Sequence, residues 1–116
     1  MGADMWGYPE TSGHVPGTRL IGYGVEATDG SIGKIDDHTE DVGRSYVVVD
    51  TGPWILGRRV LLPAGLIRRV DTERETVHVS CTKAEVKESP PFEAGQHEDD
   101  SASLRLIEHY YANRHM

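Results

Sequence analysis

The stretch from residue 25 to residue 63, VEATDGSIGKIDDHTEDVGRSYVVVDTGPWILGRRVLLP, constrains this chain most, because it joins repeated strand patterning to turn chemistry. Asp29-Gly30 stands between residues 25–28 and 31–37, and a two-residue Asp-Gly connection suits the positive φ angles of a type I′ hairpin turn. Gly30 is expected in that turn and Gly33 at a close or bulged strand position, where a Cβ is costly. After a polar run at 40–44, Tyr46-Val47-Val48-Val49 is a β-branched and aromatic run too short for a helix. Thr51-Gly52-Pro53 interrupts it, and Val60-Leu61-Leu62 restarts the pattern before Pro63. Residues 67–71 and Thr76-Val77-His78-Val79, parted by a charged turn at 72–75, complete six short strands.

The two ends read differently. Residues 1–23 are rich in Gly, Pro, Ser and Thr without helical or strand period, which predicts a flexible arm whose Trp6 and Tyr8 either rest on the domain or anchor a partner. Thr82 with Glu85 three residues on makes a Thr-x-x-Glu capping box for a short helix to about Glu88, ended by Ser89-Pro90-Pro91. Beyond an acidic linker, Ser101 or Ser103 caps a last helix in which Leu104, Ile107 and Tyr111 share one face, widened by Leu106 and Tyr110. The expected division is an arm at 1–23, a domain at 24–92 that folds alone, and the linker and helix at 93–116.

Taken in order, Asp29-Gly30 followed by Ile32-Gly33-Lys34-Ile35, the run Tyr46-Val47-Val48-Val49-Asp50, Gly57-Arg58-Arg59-Val60-Leu61-Leu62-Pro63, and Thr82-Lys83-Ala84-Glu85-Val86-Lys87 leading to Pro90-Pro91-Phe92 resemble the PRC-barrel domain family over residues 24–92. The resemblance implies a mainly β fold, a small six-stranded antiparallel barrel with a short helix after the last strand, often a homodimer that serves as an assembly surface. A related barrel forms the C-terminal domain of a ribosome-maturation factor. The N-terminal partner domain of that factor has no counterpart here, so a ribosomal role is not carried over, and neither are the membrane helix and quinone-linked role of the photosynthetic reaction centre H subunit, for which the family is named.

Composition sets the functional limits. The net charge of −7 comes with an acidic excess in each of the three segments, so none offers the basic excess that phosphate neutralisation requires, and no nucleic-acid partner is expected. The single Cys81 excludes an internal disulfide and a multi-cysteine zinc site, and suits a reducing, cytoplasmic setting. The N-terminus lacks the pattern of a signal peptide, and no apolar run approaches the roughly 20 residues of a spanning helix, so membrane insertion is not expected.

Candidate chemistry is sparse. Asp36, Asp37, Glu40 and Asp41 around His38 supply oxygen donors but match no calcium-loop spacing, which favours a solvated hairpin end. His97, Glu98, Asp99, Asp100, His109 and His115 are possible zinc donors, but His109 and His115 do not share one helical turn. Cys81 has only Lys83 and His78 near it in sequence, and no Gly-x-Ser-x-Gly elbow organises a nucleophile. No catalytic residue, metal or cofactor is therefore assigned.

Arg58-Arg59 and Arg68-Arg69 send their members to opposite faces if they alternate, which would build a basic stripe from Arg59 and Arg69. Trp54, Ile55 and Leu56 cannot all enter one small core, so they cover a barrel end or form an intermolecular patch. The leading expectation is a non-catalytic, cytoplasmic, homodimeric adaptor that binds another protein through Trp54, Ile55, Leu56, Arg59, Arg69, Leu104, Ile107 and Tyr111. The second is a small-ligand or metal-binding protein using the barrel end or the His-containing tail.

Overall fold

The computed structural model describes residues 5–9, 12–13, 17–39, 45–52, 59–89 and 101–115, with side chains of the last helix described over 105–113. Strands form at all six expected places: β1 (Gly24–Ala27), β2 (Gly30–Thr39), β3 (Tyr46–Asp50), β4 (Arg59–Pro63), β5 (Ile67–Asp71) and β6 (Thr76–Val79). They make one sheet in the order β4-β3-β2-β1-β6-β5. Two helices follow, α1 (Lys83–Lys87) and α2 (Ser101–His115).

Two features depart from the expected antiparallel barrel. The β1–β6 pair is parallel, Gly24 facing Thr76 and Val25 facing Val77, while the other four pairs are antiparallel. Among the described residues, β4 and β5 stand at the two edges and do not pair, so the sheet is mixed and not closed into a barrel. The Asp71 carboxylate accepts from Glu73 N and Arg74 N, both at 3.1 Å, closing the β5–β6 turn. Gly24 N then donates to Glu75 O at 2.9 Å and draws β6 alongside β1.

The first hairpin is also built differently. Ala27 pairs with Gly30, so Thr28 and Asp29 are the loop residues, and neither has the positive φ of a type I′ turn. Tertiary bonds shape this tip: Lys83 N donates to Asp29 Oδ1 at 2.8 Å and Thr28 N to Cys81 O at 3.0 Å. Gly30 opens β2 at φ +148°. Gly33 sits at a register shift with φ +149°, and an added Cβ would lie 2.2 Å from Asp50 O, so the expected close position is present.

The capping box forms as patterned, Glu85 N donating to Thr82 Oγ1 at 3.1 Å and Thr82 N to Glu85 Oε1 at 2.8 Å. The chain ends, however, belong to the core. Met5, Leu20 and Tyr23 of the segment expected to be a flexible arm are buried, as are Ile107 and Tyr111 of α2, whereas Leu106 is 61% exposed. Met5 O accepts from Gly65 N at 2.7 Å, Trp6 O from Ser45 N at 2.8 Å, and the Trp6 ring meets Tyr46 edge-on. Every residue of β3 and β4 other than the terminal Asp50 and Arg59 is buried, on both alternating sides; α2 packs on β4, and residues 5–6 lie beside Ser45 and Gly65. A strand covered on both faces reads as a continuous apolar run, which is what Tyr46-Val47-Val48-Val49 and Val60-Leu61-Leu62 are.

Gly33→Ala is expected to destabilise by about 2 to 4 kcal/mol, because a backbone carbonyl must move, and Gly30→Ala by about 1 to 2 kcal/mol, because its nearest neighbour is the flexible Lys83 side chain. Urea denaturation of both variants measures this; equal costs would show that the approach of β3 to Gly33 does not govern the site.

Candidate functional site

Strand register places one residue of each strand in an unbroken transverse row: Arg59, Asp50, Lys34, Gly24, Thr76 and Asp71. Paired residues share a face of a sheet, and none of these six is buried, while the adjacent row of Val60, Val49, Ile35 and of Val25, Val77, Val70 is. The row thus lies at one end of the sheet, made of the first or last residues of five strands together with Lys34, beyond the buried rows. Gly24 is the one member without a side chain, and around it a depression of about 380 Å³ is lined by Gly24, Ser31, Gly33, Lys34, Asp50, Thr51 and Gly52. Asp50 Oδ1 accepts from Gly52 N at 2.9 Å, which holds the chain at the end of β3 and forms one wall. Lys34 is exposed and, among the described residues, joins no ion pair.

The residues expected to act together do not converge. Arg59 and Arg69 stand on opposite edge strands, separated by five inter-strand spacings or roughly 24 Å, so they form no stripe. A register shift after Ile67 turns both Arg68 and Arg69 to solvent, against simple alternation. Arg59 pairs with Asp36 at 3.1 Å and Arg69 with Asp71 at 3.5 Å, exposed contacts worth about 0 to 1 kcal/mol. Ile107 and Tyr111 face the interior and not a partner. Trp54, Ile55 and Leu56, Glu40, Asp41, His97, Glu98, Asp99 and Asp100, and the side chains of Leu104 and His115, lie outside the described residues; among the described residues no group of three His, Cys, Asp or Glu gathers to hold a metal. Within them, His38 Nε2 accepts from Leu20 N at 3.3 Å, a bond that ties the entering chain to β2.

Cys81 is fully buried beneath α2 and α1. Burial, and then the nearby Glu85 carboxylate, push its thiol up from 9.0 to about 12, so the nucleophilic thiolate is absent at neutral pH. Burial also raises the Tyr111 hydroxyl, with Cys81 adding to the shift. Tyr110 Oη donates to Glu85 O at 2.6 Å and Trp6 Nε1 to Glu108 Oε1 at 2.8 Å, fastening α2 to α1 and to the N-terminal segment. The members of the row other than Arg59 escaped sequence reading, since register across five pairings, one of them parallel, is not written in any local motif.

No family model matches the sequence, and no curated protein matches it. Among solved structures the chain is similar to the 16S ribosomal RNA processing protein RimM of Pseudomonas aeruginosa, with 22% identity and a TM-score of 0.45 over 62% of this chain and 47% of that one. The chain therefore spans less than half the length of that protein. The expectation of no nucleic-acid partner is corrected by this neighbour, which is described as an RNA processing protein. No helix among the described residues is long and apolar enough to cross a membrane.

Cys81 gives a direct check of this packing. The native chain at pH 8 should not react with a thiol reagent that labels the urea-unfolded chain at once. Because the folded thiol titrates higher than the unfolded one, its contribution to stability is complete below pH 9.0 and is lost as pH rises from there to about 12. Rapid labelling of the native chain, or stability unchanged over that alkaline range, would contradict the burial of Cys81.

Proposed function

We propose that this chain is a non-catalytic binding module that engages a partner protein through the unburied row at one end of its sheet. The observation that carries the reading is the row Arg59, Asp50, Lys34, Gly24, Thr76 and Asp71, which crosses all six strands unburied and is hollow at its centre. The nearly complete burial of the large apolar side chains fits it: among the described residues only Ile21 and Leu106 are large, apolar and exposed, so the recognising groups of the row are polar ones. The unreactive state of Cys81 supports the same reading, since the one cysteine supplies no thiolate for chemistry.

Capture from the source cells with the tagged, intact chain tests it. Lys34→Glu lies in the row, and Lys87→Glu makes the same charge change on α1, away from it. A protein retained by the native chain and by Lys87→Glu, but lost with Lys34→Glu, is the expected result. Loss on ribonuclease treatment would replace the protein partner by an RNA-containing one, the setting named for RimM. Equal behaviour of the two charge reversals would remove the row from the account.

A further inference from the structure

Of the three glycines that line the depression, Gly33 and Gly24 are there for different reasons. A Cβ on Gly33 would collide with the backbone of Asp50 and Thr51, and φ is +149°, so glycine is structurally required there. At Gly24 the backbone is not in the left-handed region and an added Cβ meets nothing within 4 Å. Neither packing nor conformation demands glycine at Gly24, and glycine within a strand weakens it. Its effect is to keep a notch open in the middle of the row, between Lys34 on β2 and Thr76 on β6.

The charges beside the notch are not equivalent. The Asp50 carboxylate is engaged by the Gly52 N–H, which it accepts at 2.9 Å. Arg59 is in turn held by Asp36 at 3.1 Å. Lys34 is the uncommitted charge of the lining, and Ser31, also exposed, adds a hydroxyl on the same side. The depression is open to solvent and floored by backbone, a shape suited to an extended chain lying across the strands.

We infer that the Gly24 notch receives an extended peptide segment of a partner protein, with one apolar side chain seated over Gly24 and an acidic side chain on the Lys34 ammonium. The inference rests on the binding-module reading and specifies its ligand. The apolar group replaces water over a floor of glycine Cα atoms, and the carboxylate makes the charge-assisted contact that Lys34 lacks within the chain. Salt weakens that contact, because Lys34 is exposed.

Selection of a random-peptide display library on the intact chain tests this. Enriched peptides are expected to carry Asp or Glu within two residues of a large apolar side chain. Their synthetic versions, followed by fluorescence polarisation, should lose at least about tenfold in affinity on Gly24→Val, which fills the notch that holds the anchor, and on Lys34→Glu. Gly24→Ala should give an intermediate loss, and it keeps the test informative if Gly24→Val melts at lower temperature than the native chain. Peptides that are basic, that bind Gly24→Val or Gly24→Ala as well as the native chain, or that fail to enrich at all would overturn the inference. If cellular capture still depends on Lys34 in that event, only the peptide assignment falls; if it does not, the binding-module reading falls with it.

Discussion

An open six-stranded sheet cannot stand without a cover, and this structure depends on the burial of both chain ends against it. Ile107 and Tyr111 descend from α2, while Met5, Leu20 and Tyr23 come from the residues before β1. Side chains of this kind each contribute about 1.5 to 3 kcal/mol when taken out of water, so five of them amount to as much as a domain's whole net stability. The hydrogen bonds of Trp6 to Glu108 and of Tyr110 to Glu85 fix where the cover sits. Glu85 serves twice, capping α1 through its side chain and receiving α2 through its carbonyl, so the hairpin tip at Asp29, α1 and α2 form one connected belt.

That arrangement decides where a partner has room. In the belt α2 packs on β4 and α1 on β2, and the row from Arg59 to Asp71 stays unburied at the strand ends. Its relief comes from the backbone: Asp50 and Thr51 at the end of β3 lie so close to Gly33 that only glycine fits, and Gly24 beside it adds a second gap.

Much of the architecture was legible locally. The β-branched runs gave the strands, and Thr82 with Glu85 gave α1, because strand propensity and capping act within a few residues. Ile107 and Tyr111, spaced four apart, marked the inward face of α2, although Leu106 beside them is exposed. What could not be read depends on distant pairings: the parallel partnership of β1 with β6, the open edges, and the shifts that turn Arg68 and Arg69 outward together. The turn at Thr28-Asp29 was misjudged for the same reason, since Lys83, far along the chain, holds Asp29. The arm looked flexible because Met5, Leu20 and Tyr23 are scattered among glycines and prolines, and scattered anchors leave no period.

The central claim is that the ends complete the fold, and the most direct measurement compares urea unfolding of the intact chain with that of a fragment of residues 24–92. The fragment keeps all six strands and α1 but loses Met5, Leu20, Tyr23, Ile107 and Tyr111. The account predicts a broad, non-cooperative transition for the fragment, with Cys81 labelled without denaturant. A sharp transition at the midpoint of the intact chain, with Cys81 still protected, would contradict it.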